Sequence, residues 1–204
     1  MKIETYTSLL PYQEQAVEKL RHLKIGALYM EMGTGKTRTA LELIKLRVNS
    51  GKVSHVIWLC PCNIKADISR GIAQHSNLCD LGIMDIVGIE TLSTSTRECS
   101  RLLGLVKKER CYLIVDESSL VKNHAALRTI HIQQLAENCA YKLILNGTPI
   151  SRNEADLYAQ WYILDWRILG YRSYYSFAAN HLEIDERGRI RRVLNTDYLA
   201  EKIA

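Results

Sequence analysis

The sequence predicts an α/β fold: a mostly parallel sheet with helices on both faces, followed by a small C-terminal β-hairpin. Short apolar runs alternate with longer stretches of helical spacing over most of the chain. Such strand-then-helix repeats carry the chain back so that successive strands point the same way. One junction between a run and a helical stretch bears two glycines, Met30-Glu31-Met32-Gly33-Thr34-Gly35-Lys36-Thr37. Near the end the pattern changes to apolar–polar alternation about a polar turn, the period of a half-exposed hairpin.

At 204 residues the chain is long enough for one domain with a sizeable core, or one domain with a small appendage. A hydrophobic content of 47% with 24% charged residues excludes a disordered class. No run reaches membrane-spanning length, and the amino terminus lacks the basic-then-apolar layout of a signal peptide. An intracellular, cytoplasmic protein without a membrane partner is therefore expected, not a secreted one. Lysines and arginines number 27 against 22 acidic residues, and the net charge of +5 permits a polyanionic partner without demanding one.

Taken in order, residues 9–23 put Pro11 in a first helical turn and Val17, Leu20 and Leu23 on one apolar stripe, an amphipathic helix packed on the sheet. Strands are expected at 25–30, 55–60, 83–89, 111–116 and 142–146, and helices at 36–48, 64–74, 95–107, 125–138 and 154–164. The aromatic-rich residues 161–175 are expected to pack the hairpin, 181–194 about Gly188, onto the sheet. Residues 195–204 read as the start of a further helix. No internal repeat or low-complexity tract interrupts this order.

The glycine-bearing junction reads as a phosphate-binding loop. A strand that ends in such a turn and opens a helix aims several backbone N–H groups and the positive end of the helix dipole at one spot. Gly33 and Gly35 let the backbone approach a phosphate, Lys36 can reach the β- and γ-phosphates of a nucleotide, and the Thr37 hydroxyl can hold Mg²⁺. Met30 stands where the general pattern has glycine. The plain alternative is a strand-to-helix turn with an exposed lysine.

The run 111–115 ends in two adjacent carboxylates, Asp116 and Glu117, which suits an acidic pair at the same sheet edge. Asp116 can hold Mg²⁺, and Glu117 can orient or deprotonate an attacking water. Against this stands a solvated strand end. The six cysteines read as core thiols, because their spacing matches no zinc knuckle or redox pair. The histidines do not fall at metal-ligand spacing, Lys122 reads as a solvated surface lysine, and Arg187, Arg189, Arg191 and Arg192 are either phosphate contacts or ordinary solvated charges.

Together, Leu10-Pro11-Tyr12-Gln13, the loop Met32 to Thr37, Cys60-Pro61, Asp116-Glu117-Ser118-Ser119 with Lys122-Asn123, and Asn146-Gly147-Thr148-Pro149-Ile150 resemble, in order and spacing, the superfamily 2 helicases, specifically Swi/Snf-type DNA translocases. The resemblance covers about residues 8 to 165 and implies the amino-terminal RecA-like P-loop NTPase lobe, with 166–204 appended to the same lobe. It implies that ATP and Mg²⁺ are the cofactors. Gln13 would read adenine, and Gly33, Thr34, Gly35, Lys36, Thr37 and Arg38 would bind the nucleotide. Lys36, Asp116 and Glu117 would serve catalysis, with Thr37 and Asp116 at the metal.

Asn63, Lys65 and Thr91 would touch one nucleic-acid strand, and Gly147, Thr148 and Pro149 would couple nucleotide state to that track. Ser118-Ser119 and Asn146 depart from the family's more familiar residues at those places. A second RecA-like lobe, in the same or a partner chain, is expected to complete a motor on duplex DNA. The alternatives are an RNA-directed helicase of the same superfamily and a stand-alone nucleotide-binding regulatory module.

Overall fold

The computed structural model describes residues 2–148, 154–187 and 189–203. Its centre is a five-stranded parallel sheet built from β1 (Ile25–Tyr29), β2 (His55–Cys60), β3 (Met84–Gly88), β4 (Cys111–Val115) and β5 (Tyr141–Asn146). The strand order is β1-β5-β4-β2-β3. Because every strand runs the same way, the loops that follow all five open on one edge. β5 lies between β1 and β4, so the loop after β5 sits between the loops that follow those two strands.

Alternation along the central strands sends side chains into two cores. Val56, Trp58 and Cys60 of β2 and Tyr112 and Ile114 of β4 enter one core. The helices that close it are α1 (Pro11–Leu20), α2 (Lys36–Asn49) and α3 (Lys65–His75). Ile57, Leu59, Cys111, Leu113 and Val115 enter the other, closed by α4 (Thr91–Thr94), α5 (Thr96–Lys108), α6 (Leu127–Glu137) and α7 (Leu157–Asp165). Burial on both faces explains why these strands read as unbroken apolar runs.

Most element starts follow local chemistry. Pro11 opens α1, and the Gln13 side chain accepts from the Leu10 amide at 3.0 Å. Ser95 caps α5 by accepting from the Glu98 amide at 3.2 Å.

The expected helix 9–23 is a correction, since α1 stops at Leu20 and Leu23 is half-exposed. Arg47 reaches across from α2 to accept that ending, donating to the Leu20 and Leu23 carbonyls at 3.1 and 2.8 Å. The aromatic stretch shares one core with the hairpin, as expected, and it runs into a helix the sequence reading did not assign, α8 (Tyr174–His181). Its apolar face follows the i, i+3, i+4, i+7 spacing of Tyr174, Phe177, Ala178 and His181.

The hairpin pairs β6 (Leu182–Ile184) with β7 (Ile190–Val193), and α9 (Thr196–Ile203) follows. Phe177, Leu182 and Leu199 are buried in the same core as α5 to α7. Among the described residues, no helix is long and apolar enough to cross a membrane.

Candidate nucleotide site at the carboxyl edge of the sheet

The loop after β1 delivers the chain to α2 through two glycines in the left-handed region, Gly33 at φ 79° and Gly35 at φ 81°. Gly35 is the N-cap of α2, with no side chain capping that terminus and no acid in the first turn. The first-turn amides and the positive end of the dipole thus face the loop without a competing carboxylate. A Cβ at Gly35 would also run into Gln13 Nε2. Lys36 Nζ donates to the carbonyls of Met30 at 3.1 Å and Glu31 at 3.3 Å, so its ammonium folds over the loop.

Gln13 is buried, and both ends of its amide are engaged. Its Oε1 accepts from Leu10 N, and its Nε2 donates to the Thr34 carbonyl at 2.9 Å. In this structure it ties α1 to the loop. Thr34 also bonds within the loop, its hydroxyl donating to Glu31 O at 2.7 Å. Arg38 is buried, and its guanidinium is held by Thr7 and by Glu42 at 3.0 Å.

Asp116 follows β4 and is only 5% exposed, which disposes of the solvated-strand-end reading. Burial pushes its carboxyl up to about 6, the Glu117 charge adds to this, and the Glu117 amide and the Lys36 charge pull the other way. Asp116 and Lys36 are therefore close enough to attract. Glu117 sits in the left-handed region at φ 51°, ψ 54°, where non-glycine residues are uncommon. Its amide donates to Asp116 Oδ1 at 3.0 Å.

The loop after β5 lies against the phosphate-type loop. Met30 N donates to Asn146 O at 3.1 Å, and a Cβ on Gly147 would meet Met32 and the Met30 carbonyl at 3.6 to 3.7 Å. Thr148 is exposed, and Pro149 lies outside the described residues. Asn63 and Lys65 follow β2, Lys65 as the first residue of α3, and Thr91 follows β3 as the first residue of α4. The segments after those two strands are clasped by the Glu90 carboxylate, which accepts from Cys62 N at 2.9 Å.

Two readings are corrected here. Cys62 is exposed, so it is not a core thiol, whereas Cys60, Cys99 and Cys111 are buried. Lys122 is not merely solvated, since its Nζ lies 3.7 Å from Asp156.

Sequence reasoning missed Gln160 and Trp58. Gln160 is fully buried, with Oε1 accepting from the Ser118 hydroxyl at 2.6 Å. Its signal was a lone amide inside the apolar helix Leu157–Asp165. Trp58 shares the core face of Asp116, diagonal to it across the β2–β4 pairing.

A thiol-free set of hydroxyl and carboxylate oxygens, Thr37 and Asp116, suits a hard cation such as Mg²⁺. A buried carboxyl raised toward neutrality is stabilised as an anion by such an ion.

Comparison with known proteins assigns the chain a family and a fold. Residues 72–196 match the family model for the SNF2-related domain, and residues 6–68 match that of the type III restriction enzyme res subunit. Among curated proteins, a TATA-binding protein-associated factor mot1 of Aspergillus fumigatus is 38% identical over 196 residues, covering 80% of this chain and 10% of its own. The TATA-binding protein-associated factor BTAF1 of Arabidopsis thaliana is 26% identical over 194 residues, covering 82% of this chain and 9% of its own. The chain thus spans about a tenth of the length of these relatives.

The fold superimposes on a Sulfolobus solfataricus SWI2/SNF2 ATPase core in complex with dsDNA with a TM-score of 0.77 at 18% identity, over 98% of this chain and 43% of that one. A second structure of that core gives 0.68 at 19% identity, over 87% of this chain and 38% of the other.

Proposed function

The chain belongs to the SNF2-related family and is an ATPase lobe of it, and on that premise we propose that it binds Mg·ATP at the carboxyl edge of its sheet and, completed by a second RecA-like lobe, hydrolyses ATP to move on duplex DNA. The observation that carries the reading is the convergence on one edge of an uncapped helix N-terminus, Lys36, and the buried Asp116 beside Glu117. Thr37 and Asp116 would hold Mg²⁺, which when bound neutralises charge on the phosphate oxygens. The loop amides and Lys36, released from its own carbonyls, bind the phosphates. Glu117, held in its left-handed turn, accepts a proton from water. Arginines that stabilise the transition state come from the second lobe.

Asn63, Lys65 and Thr91 contact phosphates of one strand, which positions the nucleic acid without reading its sequence. Duplex DNA is favoured as the track because the SWI2/SNF2 core that superimposes on this chain is one bound to dsDNA.

Titration of a fluorescent ATP analogue against wild type and Lys36→Ala tests the site, with roughly tenfold weaker binding expected for the variant. Equal binding by the two removes the assignment. In the completed protein, Glu117→Gln keeps ATP binding and loses turnover. Stimulation of turnover by duplex DNA compared with RNA, at one fixed salt concentration, then separates the two tracks.

A further inference from the structure

Four hydrogen bonds run in one direction through five residues, from the exposed Thr148 into a buried interior. Thr148 N donates to Asn146 Oδ1 at 3.2 Å, and Asn146 Nδ2 donates to Ser118 Oγ at 3.4 Å. Ser118 Oγ donates to Gln160 Oε1 at 2.6 Å, and Gln160 Nε2 donates to the Asp156 carbonyl at 2.9 Å. Asn146, Ser118 and Gln160 are all 1% exposed or less. Hydrogen bonds aligned in this way polarise one another in a low-dielectric interior, and losing one buried member leaves its neighbour unsatisfied.

The ends of the chain matter. One is the loop after β5 that touches the phosphate-type loop, the middle is the residue following Glu117, and the far end is the start of α7. Ser118 and Asn146 are among the places where the sequence departs from the pattern it resembles, and here those two side chains bond to each other.

We propose that Gln160 is a positioning residue: through Ser118 and Asn146 it fixes the Glu117 turn and the Gly147–Thr148 loop relative to each other, so that the site distinguishes a nucleotide with a γ-phosphate from one without. This rests on the nucleotide reading given above. Gln160 touches no nucleotide group itself and acts only through the loops it holds. On that reading Glu117 serves the water that attacks the terminal phosphate, so its turn and the loop tied to it sense that phosphate, whereas the Gly33–Thr37 loop is outside the chain of bonds.

The test measures binding of ADP and of a non-hydrolysable ATP analogue, with Mg²⁺, to wild type, Ser118→Ala, Gln160→Met and the double variant of this 204-residue chain. Each single variant should keep its ADP affinity and lose preference for the ATP analogue by roughly fivefold, and the double variant should lose no more than either single one. Equal weakening of both nucleotides, unchanged preference, or additive losses overturns the proposal. Ser118→Ala removes only one oxygen and supplies the answer should Gln160→Met fail to melt cooperatively. Lys36→Ala separates the two readings, because a nucleotide site gives loss of both ligands there. A wild type that binds neither ligand overturns the site reading and the relay with it.

Discussion

At the scale of single residues, backbone conformation and buried charge define the site. Gly35 is required twice, by its φ of 81° and by the Gln13 amide beside it. Gly35→Ala should cost about 1 to 2 kcal/mol from the left-handed backbone, and its nucleotide affinity should fall as the loop shifts, read by urea unfolding and by titration on the same sample. Glu117 carries comparable strain without being glycine. Glu117→Gly should therefore raise stability by about 1 kcal/mol, while Glu117→Gln, which keeps the strain, should leave it unchanged. Two equally stable variants would mean that the turn is not strained.

The residue types of the phosphate-type loop were legible because glycine, lysine and threonine at that spacing each answer a stereochemical need. The engagement of Gln13 with Thr34 was not, since an amide can face a ligand or a carbonyl equally well and sequence does not say which is nearer.

Elements are held by a few buried polar side chains as much as by apolar faces. Arg47 donates to three carbonyls, those of Leu43, Leu20 and Leu23, and its guanidinium lies 4.8 and 4.9 Å from the Tyr112 and Tyr141 ring centres. Arg47→Met should cost about 3 kcal/mol in urea unfolding, because it strips the end of α1 of its donors and removes a desolvated cation–π contact. A loss below about 1 kcal/mol would contradict that role.

At the opposite sheet edge, Asp85 meets His55 at 2.9 Å and Arg101 at 3.0 Å. Burial raises the Asp85 carboxyl, but hydrogen bonds and charge from Arg101 and His55 outweigh it and hold the group below the usual carboxylate range. A depressed pKa in the folded state gives stability that is present above the unfolded value and lost as pH falls through the folded one. Wild type should therefore exceed Asp85→Asn by about 1 kcal/mol at neutral pH, with the gap closing below pH of about 4, in melts across pH. A gap that widens in acid would reverse the sign of the argument.

In the whole molecule, the segment after α7 belongs physically to the sheet's second core. Phe177 is fully buried among Tyr158, Tyr171 and His181, with ring centres 5.0 to 5.7 Å away. Phe177→Ala should cost about 3 to 5 kcal/mol in a single cooperative transition; a cost near zero, or a separate transition, would make the segment an independent appendage. The basic hairpin arginines are partly spent internally, Arg189 on Asp185 at 2.9 Å, which weakens the case for them as a phosphate-binding strip.

The strand positions, the parallel order of travel and the loop that opens α2 were determined by the sequence alone, because hydrophobic period and glycine stereochemistry act over a few residues. α8 was legible at its 3.6-residue spacing, yet its aromatic density masked the period. Only tertiary structure decided that β5 inserts between β1 and β4, and hence that Asn146, Ser118 and Gln160, up to 42 positions apart, meet in one line of hydrogen bonds. Such meetings depend on how distant strands and helices pack, and no local pattern records that.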